Sequence, residues 1–219
     1  RKWKMKIYFV RHGKTEWNLE GRFQGHSGDS ALLPEAFEDI QLLGQHLADV
    51  PFDRIFSSDL KRAHVTAEMI HQANHHSKIV ETTPQLREWD FGRLEGTKIR
   101  LMQDIYPHQY TALKTNLAQF NSNMFDAESV YQATQRIIQF VKGLKDSQAE
   151  TVLIVSHGAI LTASILSLLG FETAQLRHRG GLDNSSITIL ETQDFEHFTE
   201  LAWNDSSYKL TEVETIAVS

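Results

Sequence analysis

The sequence predicts an α/β fold, a three-layer α/β/α arrangement around a mostly parallel central sheet. Three observations predict it. Ile7 to Val10 and Val152 to Val155 are short, unbroken apolar runs rich in β-branched residues, as in strands buried on both faces. Segments with helical apolar spacing alternate with such strands along the chain. Both runs also break into a His-Gly pair, Arg11-His12-Gly13 early and Ser156-His157-Gly158 late. The carboxyl ends of strands are where open α/β sheets bind ligands. Two strands that each deliver a His-Gly to one sheet edge can bring two imidazoles together.

Taken in order, Arg1 to Lys4 is read as a fray before a strand that starts near Met5. Thr15 or Asn18 is placed to cap a short helix, and the glycines of Gly21 to Asp29 predict a loop. Pro34 to Val50 has apolar residues at Phe37, Ile40, Leu43 and Leu47, a helical spacing with proline near its start. Gly44 within that run weakens the helix or marks close packing. Phe52 to Ser58 reads as a second strand, with Asp59 expected to cap a helix over Leu60 to Ala73. Lys78 to Glu81 is a short third strand. Residues 94–126 are read as a small helical cap inserted over the site, within a single domain spanning 1–219. Ser129 to Leu144 is a helix with Val130, Ile137, Ile138, Val141 and Leu144 on one side. The second His-Gly strand leads into a helix over Ala159 to Leu169, with Gly170 at its end. Leu176 to Asp183 is a loop, and Ser186 to Glu191 and Phe198 to Trp203 alternate as closing strands.

Composition narrows the function. With 219 residues the chain can bury a full core. A formal net charge of −6 argues against a nucleic-acid or membrane-surface partner, so an anionic substrate needs a local basic pocket. The absence of cysteine excludes disulfides, thiolate chemistry and Cys-type zinc sites, and fits a cytoplasmic protein. Ala159 to Leu169 is too short an apolar stretch for a membrane span.

A phosphate ester fits the constellation. A neutral imidazole at His12 is a competent nucleophile for phosphorus, with its second nitrogen oriented by a backbone carbonyl. Negative charge that builds on the phosphoryl oxygens needs fixed donors. Arg11 and, near the end of the second strand, Arg62 match phosphate bidentately. Glu88, on a loop over the site, is the candidate acid for the leaving oxygen, with its pKa raised by burial. Two arginines and a cationic His157 offset the phosphate charge, so neither metal nor cofactor is required. His71 and His75, one helical turn apart, lack a third ligand and read as a solvated helix face. Lys98, Arg100, Lys114, Arg177 and Arg179 read as exposed charges, of which one or two can meet the substrate.

The sequence resembles the histidine phosphatase superfamily, the phosphoglycerate mutase-like proteins. The matching pieces are Arg11-His12-Gly13 with Thr15, Trp17 and Asn18; Ser57 to Ala63 with Thr66-Ala67; Glu88 with Gly92 and Glu95-Gly96; and Ser156-His157-Gly158. They fall in the family's order over nearly the whole chain. The resemblance implies a phosphoglycerate mutase-like fold, with His12 as phosphate acceptor and His157 as stabiliser of the phosphoryl oxygens. It makes Arg11 and Arg62 the clamp and Glu88 the proton donor, with Asn18 and Gln24 as further phosphate contacts beside Gly158. Ala31-Leu32-Leu33-Pro34 replaces the family's usual helix start, and Ala127-Glu128-Ser129 its usual Gly-Glu-Ser. The leading expectation is a metal-independent phosphomonoesterase that works on a small phosphorylated metabolite through phosphohistidine. A cofactor-primed phosphoglycerate mutase is the rival, because Phe91 to Lys98 is close to the mutase pattern. The segment after Lys98, however, lacks the arginine pair a mutase uses for a second phosphate. A non-catalytic phosphate-binding module is the third reading. Sugar phosphates, phosphoglycerate, nucleotides and cofactor precursors all fit as substrates.

Overall fold

A computed structural model of the chain describes residues 2–76 and 79–209. Its strands are β1 (Met5–Arg11), β2 (Arg54–Ser58), β3 (Val80–Thr83), β4 (Thr151–Ser156), β5 (Ile187–Thr192) and β6 (Phe198–Asp205). They form one sheet in the order β3-β2-β4-β1-β5-β6. β3, β2, β4 and β1 run parallel, and β5 and β6 close the sheet antiparallel. Of the predicted third strand, Lys78 lies outside the described residues; β3 begins two residues later and runs on to Thr83.

The helices are α1 (Glu16–Glu20), α2 (Pro34–His46), α3 (Lys61–Ala73), α4 (Ile99–Ile105), α5 (Pro107–Thr115), α6 (Val130–Gly143) and α7 (Gly158–Leu168). Side-chain alternation along the strands sorts them into layers. Ile7, Phe9, Val152 and Ile154 point into a core shared with α6 and α7. Val10, Leu153 and Val155 point the other way, into a core shared with α2 and α3. Each such buried aliphatic contributes roughly 1.5–3 kcal/mol. Residues 94–126, expected as a cap, fold as α4, α5 and two 3₁₀ turns, and Met102, Leu113, Leu117 and Phe125 join the first of these cores. No helix among the described residues is long and apolar enough to cross a membrane.

Local rules explain most element ends. Thr15 closes a capping box with Asn18 at α1, Pro34 opens α2, and Ser129 closes a capping box with Gln132 at α6. A Cβ on Gly44 would lie 3.0 Å from the Ala73 Cβ, so this glycine lets α2 approach α3. Two local expectations fail. Phe37 is 43% exposed, because the buried stripe of α2 runs through Ala36, Ile40, Leu43 and Gly44 and leaves Phe37 at its edge. Asp59 does not cap α3. The N-cap is Leu60, and the free amides of Lys61 and Arg62 donate instead to the Asp29 carboxylate at 2.7 and 3.3 Å. Asp59 is held elsewhere, in a two-pronged pair with Arg87 at 2.7 and 2.9 Å.

Candidate active site

Register brings the two histidines together. Arg11 of β1 lies opposite Ser156 of β4, so His12 and His157 leave adjacent parallel strands side by side. Their ring centroids are 5.1 Å apart, at 62°. His12 is 3% exposed and His157 is fully buried. The His12 Nδ1 lies 2.6 Å from the Gly13 carbonyl oxygen. A carbonyl only accepts, so Nδ1 carries the proton and Nε2 keeps its lone pair. His157 Nε2 lies 2.8 Å from the Ser58 hydroxyl at the end of β2, the next strand over. The His157 Nδ1 is buried without a hydrogen-bond partner.

Two guanidinium groups sit against these rings. Arg11 donates to the Leu182 carbonyl at 2.6 Å. Arg62, 1% exposed, donates to the Gly25 carbonyl at 2.9 Å and to Asp29 Oδ1 at 3.1 Å. Each keeps a buried Nε with no hydrogen-bond partner. Burial first, then the charges of Arg62 and Arg11, hold the His12 pKa well below its ordinary value. Burial and Arg62 do the same for His157. Burial therefore favours the neutral form of both rings, and a cationic His157 belongs with a bound phosphate, the setting in which it is expected. The unfolded chain binds protons that the fold refuses, so stability is full above pH of about 6.5 and falls as pH drops below it. Thermal melts from about pH 5 to 8 should show this acid loss, made smaller by added inorganic phosphate and shallower in His157→Asn.

Glu88 lies 5% exposed at the amino end of α7. Its carboxylate accepts from the amides of Trp89 at 2.8 Å, Ala159 at 3.0 Å and Ile160 at 2.8 Å. Those amides favour the ionised form, yet burial outweighs them and the pKa is raised. Neither Arg87 nor Arg93 pairs with it; they pair with Asp59 and Asp126. Its backbone is fixed by Arg136, which donates to the carbonyls of Gln85, Arg87 and Glu88 and pairs with Glu128.

Arg11, Glu88, Asn18, Gln24 and Gly158 line a cavity of about 360 Å³; His12, His157 and Arg62 are not among its lining residues, though each is a chain neighbour or charge partner of one that is. Asn18 and Gln24 also build the loop beneath them. Asn18 Oδ1 accepts from the Thr15 amide at 3.1 Å. Gln24 donates to the Thr15 hydroxyl at 2.9 Å and accepts from the Ser30 amide at 2.7 Å. His71 and His75 do not share a helix face, since α3 stops at Ala73 and His75 pairs with Asp49 at 2.8 Å.

The sequence profile of the histidine phosphatase superfamily (branch 1) matches residues 7–206. The chain belongs to that superfamily. It is 33% identical over 190 residues to a protein of Erwinia tasmaniensis named probable phosphoglycerate mutase GpmB, covering 86% of each chain. Among solved structures, a phosphoglycerate mutase from Bacillus anthracis superposes with a TM-score of 0.79 at 28% identity, over 94% of this chain and 96% of that one. A mycobacterial glucosyl-3-phosphoglycerate phosphatase superposes with a TM-score of 0.80 at 25% identity, over 92% of this chain and 99% of that one. The phosphoglycerate mutase-like fold is thus shared.

Several residues that shape the site of this histidine phosphatase superfamily member are given no site role by its sequence. Asp29 holds both the start of α3 and the Arg62 guanidinium. Glu95 Oε1 gathers the amides of Gly25 at 2.7 Å and Gly28 at 2.6 Å. Asn184 donates to the His12 carbonyl at 3.1 Å. Lys114 and Arg177, read by sequence among the exposed charges of which one or two can meet the substrate, both line the cavity, Lys114 exposed and Arg177 half-buried, whereas Arg179 pairs with Glu200. Gly158 lines it too, and its missing side chain has a use. A Cβ there would stand 2.7 Å from Arg11 Nε and 2.9 Å from its Cζ. Gly158→Ala should push the guanidinium aside and cut kcat/KM by about 10²-fold, with melting temperature little changed. Steady-state kinetics and a melt of that variant check it.

Proposed function

We propose that this protein is a phosphomonoesterase working through a phosphohistidine at His12. The observation that carries the reading is the bare His12 Nε2 beside His157, with the unpartnered Nε atoms of Arg11 and Arg62 around them. Nε2 attacks phosphorus, and the bond to the ester oxygen breaks. Glu88 gives that oxygen its proton and becomes a carboxylate. Arg11, Arg62 and His157 hold the phosphoryl oxygens, and His157 gains a proton more readily once those oxygens are present. Water then loses a proton to Glu88 and attacks phosphorus, which releases phosphate and restores His12. The two guanidinium groups supply the positive charge the transition state needs, so turnover should survive chelator.

The mutase reading uses the same residues and is supported by the mutase names among the relatives. One experiment separates the two. Phosphoglycerate is supplied with and without a bisphosphoglycerate primer, beside a panel of phosphorylated metabolites, and both isomer formation and free phosphate are measured. Phosphate release from a panel member that exceeds isomer formation supports the hydrolase. Rapid primed interconversion with negligible phosphate overturns it.

A further inference from the structure

The cavity extends beyond the phosphoryl chemistry to a wall built by the cap. Tyr110, Leu113 and Lys114 of α5, with Leu117 just after it, recur at the spacing of one helical face, and all four line the cavity. Arg177, from the loop after α7, lines it as well. At about 360 Å³ the space suits a whole small molecule and far exceeds a lone phosphoryl group.

Arg177 differs from the arginines that a carboxylate holds. Arg22, Arg54, Arg87 and Arg179 each pair with a carboxylate. The Arg177 Nε is buried with no hydrogen-bond partner. Burial lowers the Lys114 pKa, and the neighbouring Arg177 and Arg11 charges lower it further. Lys114, Arg177 and Arg11 repel one another beside an apolar surface, while of the carboxylates lining the same cavity Glu88 attracts Arg11 and Arg177 and Asp183 attracts Arg11. That cost is offset when an anion sits among them.

We propose that Lys114 and Arg177 form a second anion subsite, so that the substrate is a phosphate monoester with an apolar middle and a further anionic group. The middle lies against Tyr110, Leu113 and Leu117, and the second group is a carboxylate or another phosphate. This rests on His12 being the phosphoryl acceptor, and it deepens that reading by naming the substrate class.

The test uses stable phosphonates, so that it is read by binding and not by turnover. Benzylphosphonate, 4-carboxybenzylphosphonate and p-xylylene bisphosphonate are titrated calorimetrically into the wild-type chain. The same titrations are made with Lys114→Gln and with the double variant Lys114→Gln, Arg177→Gln. At least one of the two-headed compounds should bind about tenfold or more tighter than benzylphosphonate. Which of them gains more assigns the second group as carboxylate or phosphate. That ratio should shrink in Lys114→Gln and approach one in the double variant, with melting curves showing that both variants fold. Equal affinities on the wild type, a ratio that survives the double substitution, or no binding of any of the three overturns the subsite. Phenyl phosphate hydrolysis is measured in parallel. Its absence removes the His12 reading on its own, while the affinity ratio still judges the subsite.

Discussion

His12→Ala should reduce phosphate release from any ester to the level of a protein-free blank, a loss in kcat on the order of 10³–10⁶. No other group can replace it. The neighbouring imidazole, His157, points its Nε2 at the Ser58 hydroxyl, and its Nδ1 is fully buried. The variant should fold, because the His12 ring makes one hydrogen bond in the protein, to the adjacent Gly13 carbonyl, and the His157–Ser58 contact does not depend on it. Rapid mixing with a phosphorus-labelled ester, stopped in base, should trap a labelled chain in the wild type and none in His12→Ala. Label that persists in the variant would move the nucleophile elsewhere.

Glu88→Gln should divide substrates by their leaving groups. An aryl ester leaves as a stable anion and needs little proton donation, so its kcat should fall by less than about tenfold. An alkyl ester leaves as a strongly basic oxygen, and its kcat should fall by about 10²–10⁴. Glutamine is the informative replacement, because its carbonyl oxygen in the Oε1 place still accepts from the amides of Trp89 and Ile160, and only the Ala159 bond to Oε2 is lost. Alanine would also uncap α7 and mix a structural loss with a chemical one. The raised pKa of Glu88 keeps the acid form present to higher pH than an ordinary carboxyl allows. The alkaline limb of the wild-type profile should therefore disappear in the variant. Equal losses on both ester types would leave Glu88 as the cap of α7 and nothing more.

The sequence departs from its family at two places, and both are absorbed locally. Leu33 stands at the N-cap of α2 with Pro34 behind it, where no side chain caps the helix. Ala127 precedes Glu128 and Ser129, which still pair with Arg136 and cap α6. Neither change reaches the histidines. Residues 94–126 are different, since they supply Lys114, which by sequence is one of five charges of which one or two can meet the substrate.

The sequence by itself determined the strands, the three-layer alternation and the His-Gly breaks, because these follow from side-chain period and the chemistry of neighbouring residues. It also brought out His12, His157, Arg11, Arg62 and Glu88 as a set. Tertiary structure alone decided which partners each of them has. The register of β1 against β4 sets the distance between the rings, and Asp29, not Asp59, reaches the start of α3. Lys114 and Arg177 are 63 residues apart in sequence and meet only because the cap folds back over the sheet edge. Charge states were decided there as well: a histidine's protonation depends on burial and on guanidinium groups brought from distant segments, and no local pattern encodes that sum.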